Sequence, residues 1–110
     1  MQDKLEEIFS LQISFENMMN LDRYPKDVEG KVSALCTAMI HEAVELQRTT
    51  NWKWWKKSVP FNETEAREEL IDIWHFLIQA SMELNLTPND ILKEYQRKNE
   101  INRQRQKDSY

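Results

Sequence analysis

Glycine, proline and cysteine are scarce in this chain of 110 residues, which has one glycine, three prolines and one cysteine. So little glycine and proline leaves few places for turns, and no segment shows the sustained alternation that is typical of strands. The single cysteine, Cys36, excludes a disulfide within the chain, and no apolar run resembles a membrane span or a signal peptide. We therefore expect an all-α domain in a reducing cytoplasm, without a membrane partner.

The charge is acidic overall but unevenly distributed. Nineteen acidic and fifteen basic residues give a formal net charge of −4, which argues against general attraction to polyanions. The final part of the chain is nevertheless basic, whereas the middle is acidic. A domain of this length leaves much apolar surface exposed. We therefore expect a homodimer or a higher homo-oligomer, and no stable nucleic-acid partner.

The first half of the chain contains two predicted helices. Asp3 caps a first helix that ends near Asn20, with apolar residues recurring at helical spacing. A connection containing Pro25 and Gly30 follows, because proline disfavours a helical residue before it and glycine is permissive. A second helix is predicted over residues 31–48.

The second half of the chain contains two more predicted helices. Asn62 caps a third helix, which ends near Asn85. Its centre is apolar on nearly every side, which indicates the central helix of a bundle or an oligomer interface. Thr87 and Pro88 begin a fourth helix, which gives way to a polar, basic tail over about residues 96–110. The prediction is one all-α domain over residues 1–110, with four main helices in an oligomeric bundle.

Two pairs of carboxylates lie within the second and third predicted helices. Glu42 and Glu45 are three residues apart, as are Glu69 and Asp72, so each pair shares one helix face. Charge in apolar surroundings is costly unless a cation lies between the carboxylates. Ligation by oxygen alone suits Mg²⁺, with Mn²⁺ as a possible substitute, better than zinc. A lone Glu-x-x-Glu is usually an ordinary surface pair, but two embedded pairs predict a metal site.

Basic residues lie in a loop and in the tail. In residues 51–57, lysines alternate with tryptophans, and such lysines can hold phosphates while a ring stacks on a base. Alternatively, the tryptophans fill core and the lysines lie beside them. In the tail, Lys98, Asn102 and Arg105 lie roughly on one helical face. A solvated helix end, at which cations are favoured, explains that pattern equally well.

Together these motifs resemble the dimeric all-α dUTPases, within the MazG-like nucleoside triphosphate pyrophosphatases. The motifs are Glu-x-x-Glu, the Trp-Lys loop, Glu-Leu-x-Asp-x-x-His-Phe and Lys-Asn-x-x-Asn-x-x-Arg-Gln, in the family's order over about residues 38–110. The resemblance implies Mg²⁺-dependent hydrolysis of dUTP to dUMP and pyrophosphate. It also implies that one glutamate activates the attacking water, and that the tail closes over the nucleotide.

The resemblance also implies roles for individual residues of this chain. The implied metal ligands are Glu42, Glu45, Glu69 and Asp72. The implied catalytic base is Glu45. The implied phosphate-binding residues are Lys53, Lys56, Lys98 and Arg105. The implied nucleoside-binding residues are Gln12, Trp55, His75, Phe76 and Asn102.

The chain departs from the family's pattern in two ways. Leu11 and Gln12 fit the family's base-reading motif, but Glu16 stands where an asparagine or aspartate is usual. The chain also lacks the extra helices of larger members, so we expect a neighbouring subunit to complete the site. Three alternatives stay open: the same chemistry on dCTP or a modified nucleotide, a helical module that grips single-stranded nucleic acid, and a regulator without turnover.

Overall fold

The computed structural model describes residues 3–109, which form four helices and no strand. They are α1 (Lys4–Glu16), α2 (Val28–Gln47), α3 (Glu63–Glu83) and α4 (Pro88–Ser109). The predicted all-α fold with four main helices is confirmed. None of these helices is both long and apolar enough to cross a membrane.

Two predicted helix starts are confirmed by their caps. The Asp3 carboxylate accepts a hydrogen bond from the Glu6 N–H at 2.8 Å, at the start of α1. The Asn62 side chain accepts one from the Glu65 N–H at 3.1 Å, at the start of α3. Each cap satisfies a backbone donor that has no partner within its own helix, which is why these residue types mark helix starts.

The predicted start of α2 at residue 31 is wrong, because Asp27 caps this helix earlier. Its carboxylate accepts a hydrogen bond from the Gly30 N–H at 3.0 Å, so Gly30 lies in the first turn of α2 and not in the connection. A Cβ atom at Gly30 would lie 2.7 Å from Asp27 Oδ1 and 3.1 Å from Pro25 Cβ. The glycine therefore permits the close approach of the capping side chain.

Two predicted helix ends are also wrong. The helix α1 ends at Glu16, before Asn20; no proline or glycine marks this end, and the apolar spacing alone extends too far.

The helix α4 continues to Ser109 and does not give way to a separate tail. Its start is fixed by reciprocal hydrogen bonds between Thr87 and Asp90, at 3.0 and 3.1 Å. The tail is rich in Arg, Lys and Gln, which are good helix formers, so its polarity did not imply unwinding.

The helix α3 packs against both α1 and α2, which confirms its predicted central position. The pairing of α2 with α3 is antiparallel, since Lys31 near the start of α2 lies 3.3 Å from the Glu83 carboxylate at the end of α3. The core is small. Its buried apolar residues are Phe9, Leu35, Ala66 and Ile78. Of the other three helices, α4 packs only against α1, and it contains no buried residue.

The chain exposes more surface than a compact protein of its size. Its accessible area is 9246 Å², whereas a compact monomer of this mass exposes about 6,500 Å². Its radius of gyration is 17.5 Å, against about 13 Å for a compact domain of this length. Large apolar side chains remain exposed on α1 and α3, among them Leu11, Ile71 and Trp74. The helices of a single chain thus leave apolar faces uncovered.

Candidate active site

Three carboxylates meet where α2 and α3 pack together. One oxygen of each of Glu42, Glu69 and Asp72 lies within 4.8 Å of the other two. Glu69 and Asp72 share one face of α3, and the antiparallel packing places Glu42 of α2 beside them. Partial burial raises the pKa of the Glu69 carboxyl, and the charges of Asp72 and of the nearby glutamates raise it further. Such a concentration of hard oxygen donors fits a divalent cation of the Mg²⁺ type.

Glu45, the fourth predicted ligand, lies at the edge of this cluster. It is close enough that its charge contributes to the raised pKa of Glu69. Its carboxylate is exposed, and its Oε1 atom lies 3.8 Å from Nη1 of Arg48. The structure therefore brings three of the predicted ligands together and places the predicted base beside them. The exposed Glu45 carboxylate at the edge of the acidic cluster is accessible to a water molecule.

A basic cavity of about 500 Å³ lies at the end of α2 and in the loop between α2 and α3. It is lined by four cationic side chains, together with Thr50, Asn51 and Trp52. The cations are Arg48, Lys53, Lys56 and Lys57. Arg48 also pairs with Glu45, so one ion pair links the basic cavity to the edge of the acidic cluster. The two features together can accept a metal-bound polyphosphate.

Arg48 and Lys57 were not predicted as site residues from the sequence. The signal for Arg48 was its position one helical turn after Glu45, which brings the two side chains together. Lys57 continues the lysine pattern of the loop. The predicted phosphate-binding residues Lys53 and Lys56 both line the cavity.

Gln12 of α1 and His75 of α3, two of the predicted nucleoside-binding residues, lie in direct contact. Nδ1 of His75 lies 3.0 Å from Oε1 of Gln12, and the Gln12 side chain is buried. The Phe15 ring packs against the imidazole at a centroid distance of 6.3 Å. His75 is three residues from Asp72 on α3, so this contact lies one helical turn from the acidic cluster.

The contact between Gln12 and His75 borders an apolar groove between α1 and α3. The groove has a volume of about 450 Å³ and is otherwise lined by aliphatic side chains and an indole: Ile8, Leu11, Ile71, Trp74 and Ile78. Phe76 is half-buried on α3, one helical turn after Asp72. Trp55 lies in the basic loop, in edge contact with Trp52 and Trp54.

The predicted tail residues lie apart from the other site residues within this chain. Lys98, Asn102 and Arg105 are exposed on α4, and α4 packs against neither α2 nor α3. The acidic cluster lies on α2 and α3. Any contribution of these three residues to the cluster therefore requires another chain or a movement of α4.

Glu16, the departure from the family's base-reading motif, is half-buried beside Gln12. Partial burial and then the charge of Glu83 raise the pKa of the Glu16 carboxyl. The amide of Gln12 lies within hydrogen-bonding reach of that carboxyl and acts in the opposite direction, as does the charge of Lys31. The sequence did not predict that a glutamate here would border the buried Gln12 amide and a second carboxylate.

A comparison with models of known protein families gives a match over most of the chain. A protein-family model described as dUTPase matches residues 4–90, which is most of the chain and includes the three clustered carboxylates, the basic loop, Gln12 and His75. No curated protein and no solved structure matched the chain. The matched range, the all-α fold and the acidic cluster agree with one another. The chain belongs to the all-α dUTPase family, and it is an enzyme of the nucleotide pyrophosphatase type.

Proposed function

We propose that this protein hydrolyses dUTP to dUMP and pyrophosphate in the presence of Mg²⁺. The observation that supports this most strongly is the adjacency of the Glu42, Glu69 and Asp72 cluster to the basic cavity, through the ion pair between Glu45 and Arg48. Carboxylates would hold the cation, and the cations of the loop would hold the phosphates. When bound there, the divalent cation supplies charge neutralisation for the triphosphate.

The chain's own residues have separate tasks in this proposal. Glu45 accepts the proton of a water whose oxygen attacks the α-phosphorus, and the bond from that phosphorus to the bridging oxygen breaks. Pyrophosphate leaves with its charge balanced by Lys53 and Lys56. Gln12 and His75 orient the nucleoside, since an amide offers both a donor and an acceptor to a pyrimidine.

The test is pyrophosphate release from a panel of triphosphates, with and without Mg²⁺. We expect release from dUTP that depends on Mg²⁺ and that Mn²⁺ partly restores. Release from no member of the panel would contradict the proposal. Salt-sensitive binding of oligonucleotides without metal would instead favour a nucleic-acid-binding module. Nucleotide binding without turnover would favour a regulator.

A second candidate substrate is dCTP, and Glu16 is the observation that favours it. An ionised carboxylate only accepts hydrogen bonds. Cytosine presents an amino donor where uracil presents a carbonyl oxygen, which is an acceptor. Glu16 borders the predicted base-reading Gln12, so it would favour the amino group if it contacts the base directly. The ratio of the rates for dUTP and dCTP in the same panel separates the two candidates.

We further propose that the protein is a homodimer in which a second copy covers the groove between α1 and α3. Three observations support this: the accessible area exceeds that of a compact monomer by about 2,700 Å², the groove is almost entirely apolar, and α4 has no buried residue. Obligate dimers bury areas of several thousand Å². In such a dimer, Lys98, Asn102 and Arg105 of one copy would reach the site of the other. The cytoplasm stays the proposed compartment, in keeping with the free thiol of Cys36.

A further inference from the structure

The loop between α2 and α3 concentrates positive charge in a small volume. Lys53, Lys56 and Lys57 lie within five residues of one another, and Arg48 lines the same cavity. Within residues 3–109, none of these three lysines pairs with a carboxylate. Lys53 lies over the Trp52 ring, 5.4 Å from its centroid. Because like charges repel one another, a contact that holds the loop is needed to keep these lysines turned to a common cavity.

Asn51 makes such a contact. Its Nδ2 atom donates a hydrogen bond to the Val59 carbonyl at 2.9 Å, and its Oδ1 atom accepts one from the Val59 N–H at 2.9 Å. One side chain thus engages both backbone groups of a residue eight positions later. The other backbone hydrogen bonds within residues 52–58 span only two or three residues. We call the pair of hydrogen bonds between Asn51 and Val59 the clasp.

The clasp closes the segment that contains all three lysines. Asn51 also lines the basic cavity itself, so the residue that closes the loop borders the place where phosphates would lie. An amide is suited to this position because it supplies a donor and an acceptor without adding negative charge. An aspartate would keep the acceptor, lose the donor and place an anion among the cations.

We propose that Asn51 is a positioning residue for the phosphate site: its clasp on Val59 holds Lys53, Lys56 and Lys57 around one cavity before a triphosphate binds. This inference rests on the proposed function, since it assumes that the cavity receives a triphosphate. Preorganisation lowers the entropy that binding must otherwise remove. The clasp therefore acts mainly on affinity for the phosphates and less on the chemical step.

The loop also carries its own spectroscopic signal. Trp55 makes edge contacts with Trp52 and Trp54, at centroid distances of 5.9 and 5.6 Å. Three of the four tryptophans of the chain therefore lie in this loop. Near-ultraviolet circular dichroism reports on the packing of these rings, independently of any activity.

The experiment compares the full chain with Asn51→Ala, Asn51→Asp and the matched control Asn89→Ala, which changes an exposed asparagine at the start of α4. The measurements are kcat and KM for dUTP with saturating Mg²⁺, the affinity for inorganic triphosphate, and the near-ultraviolet spectrum. Far-ultraviolet spectra and melting temperatures establish that each variant is folded.

For Asn51→Ala we expect the KM for dUTP to rise about tenfold, because two hydrogen bonds are lost. The affinity for inorganic triphosphate should fall by a similar factor, kcat should change little, and the near-ultraviolet spectrum should change. Asn51→Asp should raise KM further, because its charge competes with phosphate. Asn89→Ala should match the parent chain in every measurement.

The outcomes separate the clasp from the proposed function. Unchanged KM and triphosphate affinity in a folded Asn51→Ala would overturn the inference, as would a loss confined to kcat. A parent chain that binds inorganic triphosphate without hydrolysing dUTP would overturn the proposed function alone, because triphosphate affinity still tests the clasp. A parent chain that does neither would overturn both.

Discussion

The helix α3 has two faces, of which one is covered by another helix of the same chain and the other stays partly exposed. The face toward α2 brings Glu69 and Asp72 to Glu42, and it is closed by antiparallel packing. The face toward α1 leaves Ile71 and Trp74 in an open apolar groove. The difference shows that the acidic side of the candidate site is assembled inside one chain, whereas the apolar groove beside Gln12 and His75 is left open.

The largest expected effect comes from Glu69→Gln, which removes one carboxylate of the acidic cluster on the face toward α2. Removing one of three clustered ligands should lower Mg²⁺-dependent pyrophosphate release by about 1,000-fold, since metal sites contribute several kcal/mol to such reactions. The Mg²⁺-induced rise in melting temperature should disappear. The control is Glu68→Gln, an exposed neighbour outside the cluster. A variant that keeps both the rate and the Mg²⁺ response would contradict the assignment of the metal site.

The variant Glu45→Gln tests the proposed base on the same side of the site, separately from the proposed metal ligands. We expect kcat to fall by about 100-fold or more, because general bases contribute on this scale. The Mg²⁺-induced rise in melting temperature should be largely retained, since Glu42, Glu69 and Asp72 stay in place. Calorimetric Mg²⁺ titration and steady-state kinetics distinguish this result from that of Glu69→Gln. Near-normal turnover with saturating Mg²⁺ would rule out Glu45 as the base.

On the face toward α1, the variant Trp74→Glu introduces a charge into the apolar groove. A charge in the groove would be costly to bury, so we expect a dimer to dissociate and the melting temperature to fall by several degrees. Sedimentation velocity measures the oligomeric state, and far-ultraviolet spectra establish folding. Met18→Glu, which places the same charge at an exposed methionine between α1 and α2, is the control. A folded Trp74→Glu variant with the parent's sedimentation coefficient would place the dimer contact elsewhere.

The smallest expected effect is on the choice of base, with Glu16→Asn. Loss of the carboxylate acceptor should raise the kcat/KM ratio of dUTP to dCTP by about tenfold, which corresponds to one hydrogen bond to a charged group. Glu7→Asn, at an exposed position of α1, is the control. An unchanged ratio would mean that Glu16 does not contact the base.

Local patterns predicted much of the fold and part of the site. The caps at Asp3 and Asn62 were correct because a cap depends on residues only a few positions apart. The carboxylate pairs were identifiable because helical spacing places each pair on one face. The early end of α1 and the start of α2 were missed, since helix ends depend on weak and competing signals.

The sequence by itself determined the four helices, the two carboxylate pairs and the resemblance to the dUTPases, because each depends on spacing within a short segment. Only the tertiary structure decided which of these features meet. It placed Glu42 with Glu69 and Asp72, put Arg48 between the acidic cluster and the basic cavity, and left α4 away from both. Contacts of this kind depend on how helices that are far apart in sequence pack against one another. Spacing along the chain does not fix the relative rotation or position of two packed helices.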